Sequence, residues 1–257
     1  MTQRFTISLD LFMMLTNKFM KHIYIIVLLI CTNISAKAVD FTLSERIGIG
    51  SYSMQDIKRF QENINEDLIY PMELTEDFPA YYYFRTAFVF ENLFFIDRVA
   101  TFFSFHSTGG RMSIFDPSGY AISDQELCSY QFGLGIEKDI IEFFDINLAI
   151  YLESYYNLNE NDLKIKINQF DIYQDGFTAE FTSNGYGVGF GININYTLSS
   201  YFRLCTIIGY DFNNLNEVKL RDNNGKVQYY NQEYAPDWSG YRIGLQLDIT
   251  LGEMEPS

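Results

Sequence analysis

Tyr241-Arg242-Ile243-Gly244-Leu245-Gln246-Leu247-Asp248-Ile249-Thr250-Leu251 decides the fold class. Tyr241, Ile243, Leu245, Leu247, Ile249 and Leu251 fall on one face of an extended chain, and Arg242, Gly244, Gln246, Asp248 and Thr250 on the other. Successive side chains of a strand point to opposite sides. One face here must meet something apolar and the other must not. A single strand of this kind suits the edge of many soluble sheets. A chain that repeats it about eight times suits the wall of a transmembrane β-barrel.

Seven earlier segments carry the same alternation. Leu43, Ile47 and Ile49 lie opposite Arg46, Gly48 and Gly50. Tyr82, Phe84, Phe88 and Phe90 lie opposite Tyr83, Arg85 and Ala87. Val99, Thr101, Phe103 and Phe105 face away from Arg98, Ala100, Ser104 and His106, as Tyr130, Phe132, Leu134 and Ile136 do from Gln131, Gly133, Gly135 and Glu137. Ile146, Leu148, Ile150 and Leu152 oppose Asn147, Ala149, Tyr151 and Glu153. Six apolar or aromatic residues between Tyr186 and Tyr196 oppose Gly185, Gly187, Gly189, Gly191, Asn193 and Asn195. Phe202, Leu204, Thr206 and Ile208 oppose Arg203, Cys205, Gly209 and Asp211. Each stretch approaches the ~9–11 residues a tilted strand needs to cross a bilayer. The sequence therefore predicts an all-β fold: an eight-stranded antiparallel transmembrane β-barrel with long extracellular hairpin loops and one short helix in the first loop.

The connections follow the outer-membrane pattern of short periplasmic turns and long external loops. The short ones are Glu91-Asn92-Leu93, Lys138 to Phe144 and Thr197 to Ser200. Turn signals Asp116-Pro117-Ser118-Gly119, Asp175-Gly176 and Asn223-Asn224-Gly225 predict three raised hairpins. Their arms are Arg111 to Phe115 with Tyr120 to Ile122, Leu163 to Tyr173 with Phe177 to Phe181, and Val218 to Arg221 with Lys226 to Tyr230. In the first loop Met54, Ile57, Phe60, Ile64 and Leu68 recur at helical spacing behind Ser53, an N-cap candidate with Asp56 three residues on. The nearest surface on which that apolar stripe can be buried is the barrel mouth.

Met20-Lys21-His22, the apolar run Ile23 to Ile30 and Ala36-Lys37-Ala38 read as a secretory signal cleaved after Ala38. Residues 1–38 are then a signal peptide with an N-terminal extension, and 39–257 the outer-membrane β-barrel of a Gram-negative envelope. Removing Arg4, Lys18, Lys21, Lys37 and Asp10 leaves 14 basic against 32 acidic residues, so the processed chain carries a net charge of −18. That acidity argues against nucleic acid, whose phosphates require Lys and Arg. The 24 Phe and 20 Tyr suit strands and interfacial aromatic girdles. Cys128 sits on the outward face and Cys205 on the inward one, so they are expected to remain free.

The segments Ile47 to Lys58, Asp77-Phe78-Pro79-Ala80-Tyr81, Ser107-Thr108-Gly109-Gly110-Arg111-Met112-Ser113 and Asp237-Trp238-Ser239-Gly240 resemble those of the small Bacteroidetes-type outer membrane β-barrel proteins, often labelled porin family. The resemblance covers most of the processed chain and implies a membrane barrel without a defined activity. Arg242-Ile243-Gly244-Leu245-Gln246-Leu247-Asp248-Ile249 also resembles the signal read by the barrel assembly machinery, polar-x-Gly-x-x-apolar-x-apolar. Outer-membrane lipids and lipopolysaccharide are the other implied partners; an extracellular partner is not identified.

Arg46, Arg85, Arg98, Arg203 and Arg242 fall on the inward face with Glu137, Glu153, Asp211 and Asp248. Eight strands enclose a space just wide enough for side chains to fill, so these groups are expected to pair as a polar core. A narrow ion path and a ligand contact are the alternatives. The glycines from Gly185 to Gly191 keep a period of two, which suits a curved wall and not a phosphate loop. His106, near Ser104 and Ser107, reads as a satisfied rim histidine; the alternative, a rim site resembling that of lipid-modifying barrel enzymes, lacks the expected His-x-Ser order. The acidic residues Glu62, Glu66, Asp67, Glu73, Glu76 and Asp77 read as a solvated face that could hold divalent cations. No catalytic, cofactor or metal site is expected. The functional expectation is a non-enzymatic barrel with a structural or surface-interaction role; a narrow channel comes second and a lipid-modifying enzyme third.

Overall fold

The computed structural model describes residues 40–66, 73–76, 79–93, 96–116, 119–169, 172–220, 228–229 and 232–251. In chain order they form β1 (Phe41–Gly50), α1 (Gln55–Glu66), β2 (Glu73–Glu76), β3 (Tyr81–Leu93), β4 (Ile96–Asp116), β5 (Gly119–Phe143) and β6 (Ile146–Gln169). There follow β7 (Ile172–Thr197), β8 (Phe202–Leu215), the short β9 (Lys219–Leu220), β10 (Gln228–Tyr229) and β11 (Gln232–Glu233), and β12 (Gly240–Thr250). The signal segment and its cleavage site at Ala38 lie outside the described residues.

Eight strands close a ring. β1, β3, β4, β5, β6, β7, β8 and β12 pair in that order, all antiparallel, and β12 returns to β1 with Thr42 opposite Thr250 and Ile49 opposite Ile243. Closure leaves no open edge to recruit another chain. One line of cross-strand partners explains both tilt and facing. From Phe41 it passes Phe90, Val99, Ile136, Leu152, Phe190, Tyr210 and Tyr241. It ends opposite Ser51, ten residues along β1 from its start. A stagger of that size tilts the strands by about 40°. Every side chain on the line is apolar or aromatic and points outward. This outer surface is exposed, with Ile47 at 62%, Leu245 at 53% and Leu134 at 48%.

The inward glycines form seats for tyrosines. Tyr155 lies over Gly187, and the Tyr151 hydroxyl lies over Gly209 and beside Gly191, where any Cβ would collide with it. The glycine alternation of β7 is thus the bed for two rings from β6.

Several local expectations change. The connection expected from Lys138 to Phe144 is mostly strand: β5 runs to Phe143 through a register shift between Asp139 and Ile141, and Phe144 turns with φ 52°. Asp175-Gly176 is no turn. Ile165 pairs with Phe177 and Ile167 with Gln174, so Asp175-Gly176 bulges within β7 and the hairpin reverses between Gln169 and Ile172. Among the described residues the third pair of arms does not meet: Lys219 and Leu220 join β7, and β10 pairs with β11. Asn223-Asn224-Gly225 lies outside the described residues. The β4–β5 hairpin matches its expectation, with Phe115 opposite Tyr120 and Ser113 opposite Ile122.

Helix α1 begins one residue later than its cap candidate implied. The Met54 carbonyl accepts the first helical bond from Lys58 N–H at 3.0 Å, so Met54, at φ 47°, occupies the cap position and not Ser53. The apolar stripe is buried as expected. Met54 and Ile57 pack with Tyr81, Tyr83, Leu127 and Trp238. Phe60 packs with Leu163, Phe181, Val218 and Tyr234. The Ile64 side chain and Leu68 lie outside the described residues.

Candidate functional site

Alternation places every sequence-predicted network residue on the lumen side, and the structure brings them together as three clusters. The largest centres on Glu153 of β6. Arg85 and Arg242 bond its two carboxylate oxygens, and Arg46 stands 3.6 Å away. Arg46 and Arg85 are direct cross-strand partners. Two like charges so placed repel, and Glu153 reaches across the lumen to offset them. Arg242 also holds Asp211 at 3.3 Å and the Tyr151 hydroxyl at 3.3 Å. Arg85 lies 3.8 Å above the Phe102 ring, a cation–π contact.

The second cluster joins Arg203 to Asp248 at 2.9 Å and to Glu91 at 2.8 Å. Asp248 accepts from Ser44 and from Gln246, both at 2.7 Å, and Glu91 accepts from Thr42 at 2.9 Å. In the third, Arg98 meets Glu137 at 2.7 Å and also Asp139. Glu137 accepts from Asn193 and Asn195. Sequence reasoning misses Glu91 and Asp139 because it assigns both to turns. Counting in twos from Arg85 and from Glu137 reaches both, so the signal is present. A cavity of about 30 Å³ lies among Arg46, Arg85, Arg98, Glu137, Glu153 and Asp248. That admits one or two waters and no hydrated column.

At the end carrying the long hairpins the filling changes character. Tyr81, Tyr83, His106 and Trp238 stack beneath Met54 and Ile57 of α1. His106 is 1% exposed; its Nε2 meets Ser104 Oγ at 2.9 Å, and its ring stacks on Tyr81 at 5.0 Å. Ser107, on the opposite face, instead pairs across to Cys128. Cys128 and Cys205 are both free. Among the described residues no group of His, Cys, Asp and Glu is arranged to hold a metal ion. Asp67 and Asp77 of the acidic loop lie outside the described residues.

The outer face also carries polar residues, Glu45 and Thr86 among them. Glu45 and Thr86 share the outward parity of Ile47 and Phe84, are cross-strand partners, and hydrogen-bond to each other at 2.8 Å.

No family model and no curated protein matches the chain. Among solved structures it is similar to a major outer membrane protein from Thermus thermophilus, at 12% identity over 84% of this chain and 100% of that one, TM-score 0.49. It is also similar to Neisserial surface protein A, at 13% identity over 83% and 97% with TM-score 0.39, and to the NanC porin, at 13% over 79% and 98% with TM-score 0.22.

Proposed function

We propose that the chain is a non-enzymatic outer-membrane β-barrel of a Gram-negative bacterium, a closed scaffold that presents its long-hairpin end to the exterior. The observation that carries this reading is the contrast between the two faces of one wall. Outside, a broad apolar band stands exposed, as hydrocarbon requires, broken by the few polar residues around Glu45. Inside, arginines and carboxylates pair with one another and α1 covers the mouth above them. In this reading the signal segment is removed after Ala38, and lipopolysaccharide and envelope lipids surround the band. The assembly machinery reads Arg242 to Ile249 as the barrel is inserted. The resemblance to Bacteroidetes-type barrels supports the same assignment. The packing of His106 beneath Trp238 and Tyr81 supports a structural role for that residue, since catalysis needs a substrate within reach of the imidazole.

Planar-bilayer recording on the refolded, processed protein tests the closed scaffold. No stable porin-sized conductance is expected. Reproducible large steps that change on Arg98→Ala or Arg203→Ala would replace the scaffold with a channel.

A further inference from the structure

Glu45 is a carboxyl group on the outside of the wall. Along β1 it has Phe41 and Leu43 on one side and Ile47 and Ile49 on the other, so it sits near mid-height of the apolar band. Across the strands its partners are Leu247 and Thr86, and beyond them come Leu204 and Phe103. Only Thr86, donating at 2.8 Å to Oε2, serves it among the described residues. An ionisable side chain at this depth is costly in hydrocarbon and marks a functional contact by default. A carboxylate offers about four acceptor sites and a protonated one adds a donor; a single hydroxyl leaves most of them unmet. A second hydroxyl lies close by. Thr101 of β4, partner of Phe88, faces outward and is exposed.

The wall formed by β1, β3 and β4 thus carries a polar stripe, Glu45, Thr86 and Thr101, set among Phe84, Phe88 and Phe103. We propose that this stripe is the contact face for a second copy of the same chain in the same membrane. The inference rests on the reading of this wall as lipid-facing. A two-fold contact brings one patch against itself. This patch holds both halves of the interaction, a carboxyl acceptor and hydroxyl donors, so a copy satisfies what an acyl chain cannot. With the axis along the membrane normal beside Thr86, which keeps its bond to Glu45 of its own copy, the Thr101 hydroxyl of each copy donates to the carboxyl of the other, and the phenylalanines supply the surrounding apolar packing. Polar side chains join membrane segments in this way because the alternative is an unmet polar group in hydrocarbon.

Sedimentation equilibrium in density-matched detergent micelles tests this on the folded protein purified from membranes, with heat-modifiable migration as the readout of the barrel itself. Wild type should associate reversibly as a dimer. Glu45→Leu should keep the folded band yet associate about tenfold or more weakly, since two symmetry-related contacts are lost. Glu45→Gln, which still accepts and donates, should stay dimeric, and Thr101→Val should weaken the dimer less than Glu45→Leu. Wild type that is monomeric at every protein-to-detergent ratio overturns the proposal. So does a Glu45→Leu protein that associates like wild type. If Glu45→Leu does not fold, Thr101→Val carries the comparison, and undiminished association then overturns the proposal. Wild type lacking a heat-modifiable folded band sinks the membrane-barrel reading itself, and the dimer with it.

Discussion

The two halves of the lumen are filled by different chemistries. Toward the short turns the filling is ionic, with Arg46, Arg85 and Arg242 around Glu153 and two further clusters at Arg203 and Arg98. Toward the long hairpins the charges give way to buried neutral amides, among them Gln125, Gln131, Asn157 and Asn161, and to an apolar layer in which Met54, Ile57 and Phe60 of α1 rest on Tyr81, Trp238, Leu163 and Tyr234. The ionic half is woven into the wall: each charge stands on a barrel strand and bonds charges that stand on others. The apolar layer is laid onto the wall by a separate helix. The difference teaches that the floor and the lid should fail in different ways, the first globally and the second locally.

The largest expected effect tests the floor. Among the described residues, Glu153→Ala leaves Arg46 and Arg85 with no carboxylate and Arg242 with Asp211 alone. It should cost about 3–5 kcal/mol, read as a shifted midpoint of urea unfolding from lipid vesicles. Next, Ile57→Ala empties a fully buried site beneath the lid and should cost about 3 kcal/mol. That loss should appear as faster amide exchange in α1 while β5 to β8 keep their protection. Equal loss of protection in those strands would erase the distinction between floor and lid. A third substitution sharpens the comparison from outside both. Leu134→Arg places a charge on the exposed band and should cost about 2–3 kcal/mol for folding into vesicles. Leu247 is the poorer probe, because an arginine there would find Glu45 beside it. The smallest effect belongs to the seat under the floor. Gly209→Ala drives a methyl into the Tyr151 hydroxyl and should cost about 1–2 kcal/mol. A neutral result, in the same urea titration, would mean that Tyr151 is free to move away from Arg242.

Alternation makes most of this legible. The eight wall strands and nine of the eleven charged members of the ionic floor follow from a period of two, because the pleat leaves each side chain only two directions. What it conceals is where strands end. Glu91 and Asp139 escape it because the apolar band stops before they are reached, whereas pairing does not; strand length is set by backbone partners, and the outward residues need only be apolar at membrane depth. Asp175-Gly176 misleads for a related reason, since residues that permit a turn also permit a bulge. The lid is visible as a stripe on a helix, but its bed is drawn from residues as distant as Leu127, Leu163, Trp238 and Tyr234. No local pattern links those positions. Glu45 escapes from the opposite cause: the pattern around it is so regular that one exception reads as noise.

The seam between β1 and β12 has a kinetic consequence. Its two strands are separated by nearly the whole chain, so ring closure must wait for the last strand, the slow kind of contact in folding. A one-residue slip there would turn β12 inside out. A two-residue slip would preserve the faces and cost the backbone little, so backbone pairing alone cannot reject it. Three side-chain bonds span the seam: Ser44 to Asp248, Arg46 to Gln246 and Thr42 to Thr250. Each joins residues directly opposite in the observed register, and each breaks when β12 moves by two. Arg203 then reads the same Asp248 from the neighbouring strand. The ionic floor therefore works as a key for closure: only the observed register makes these three bonds together.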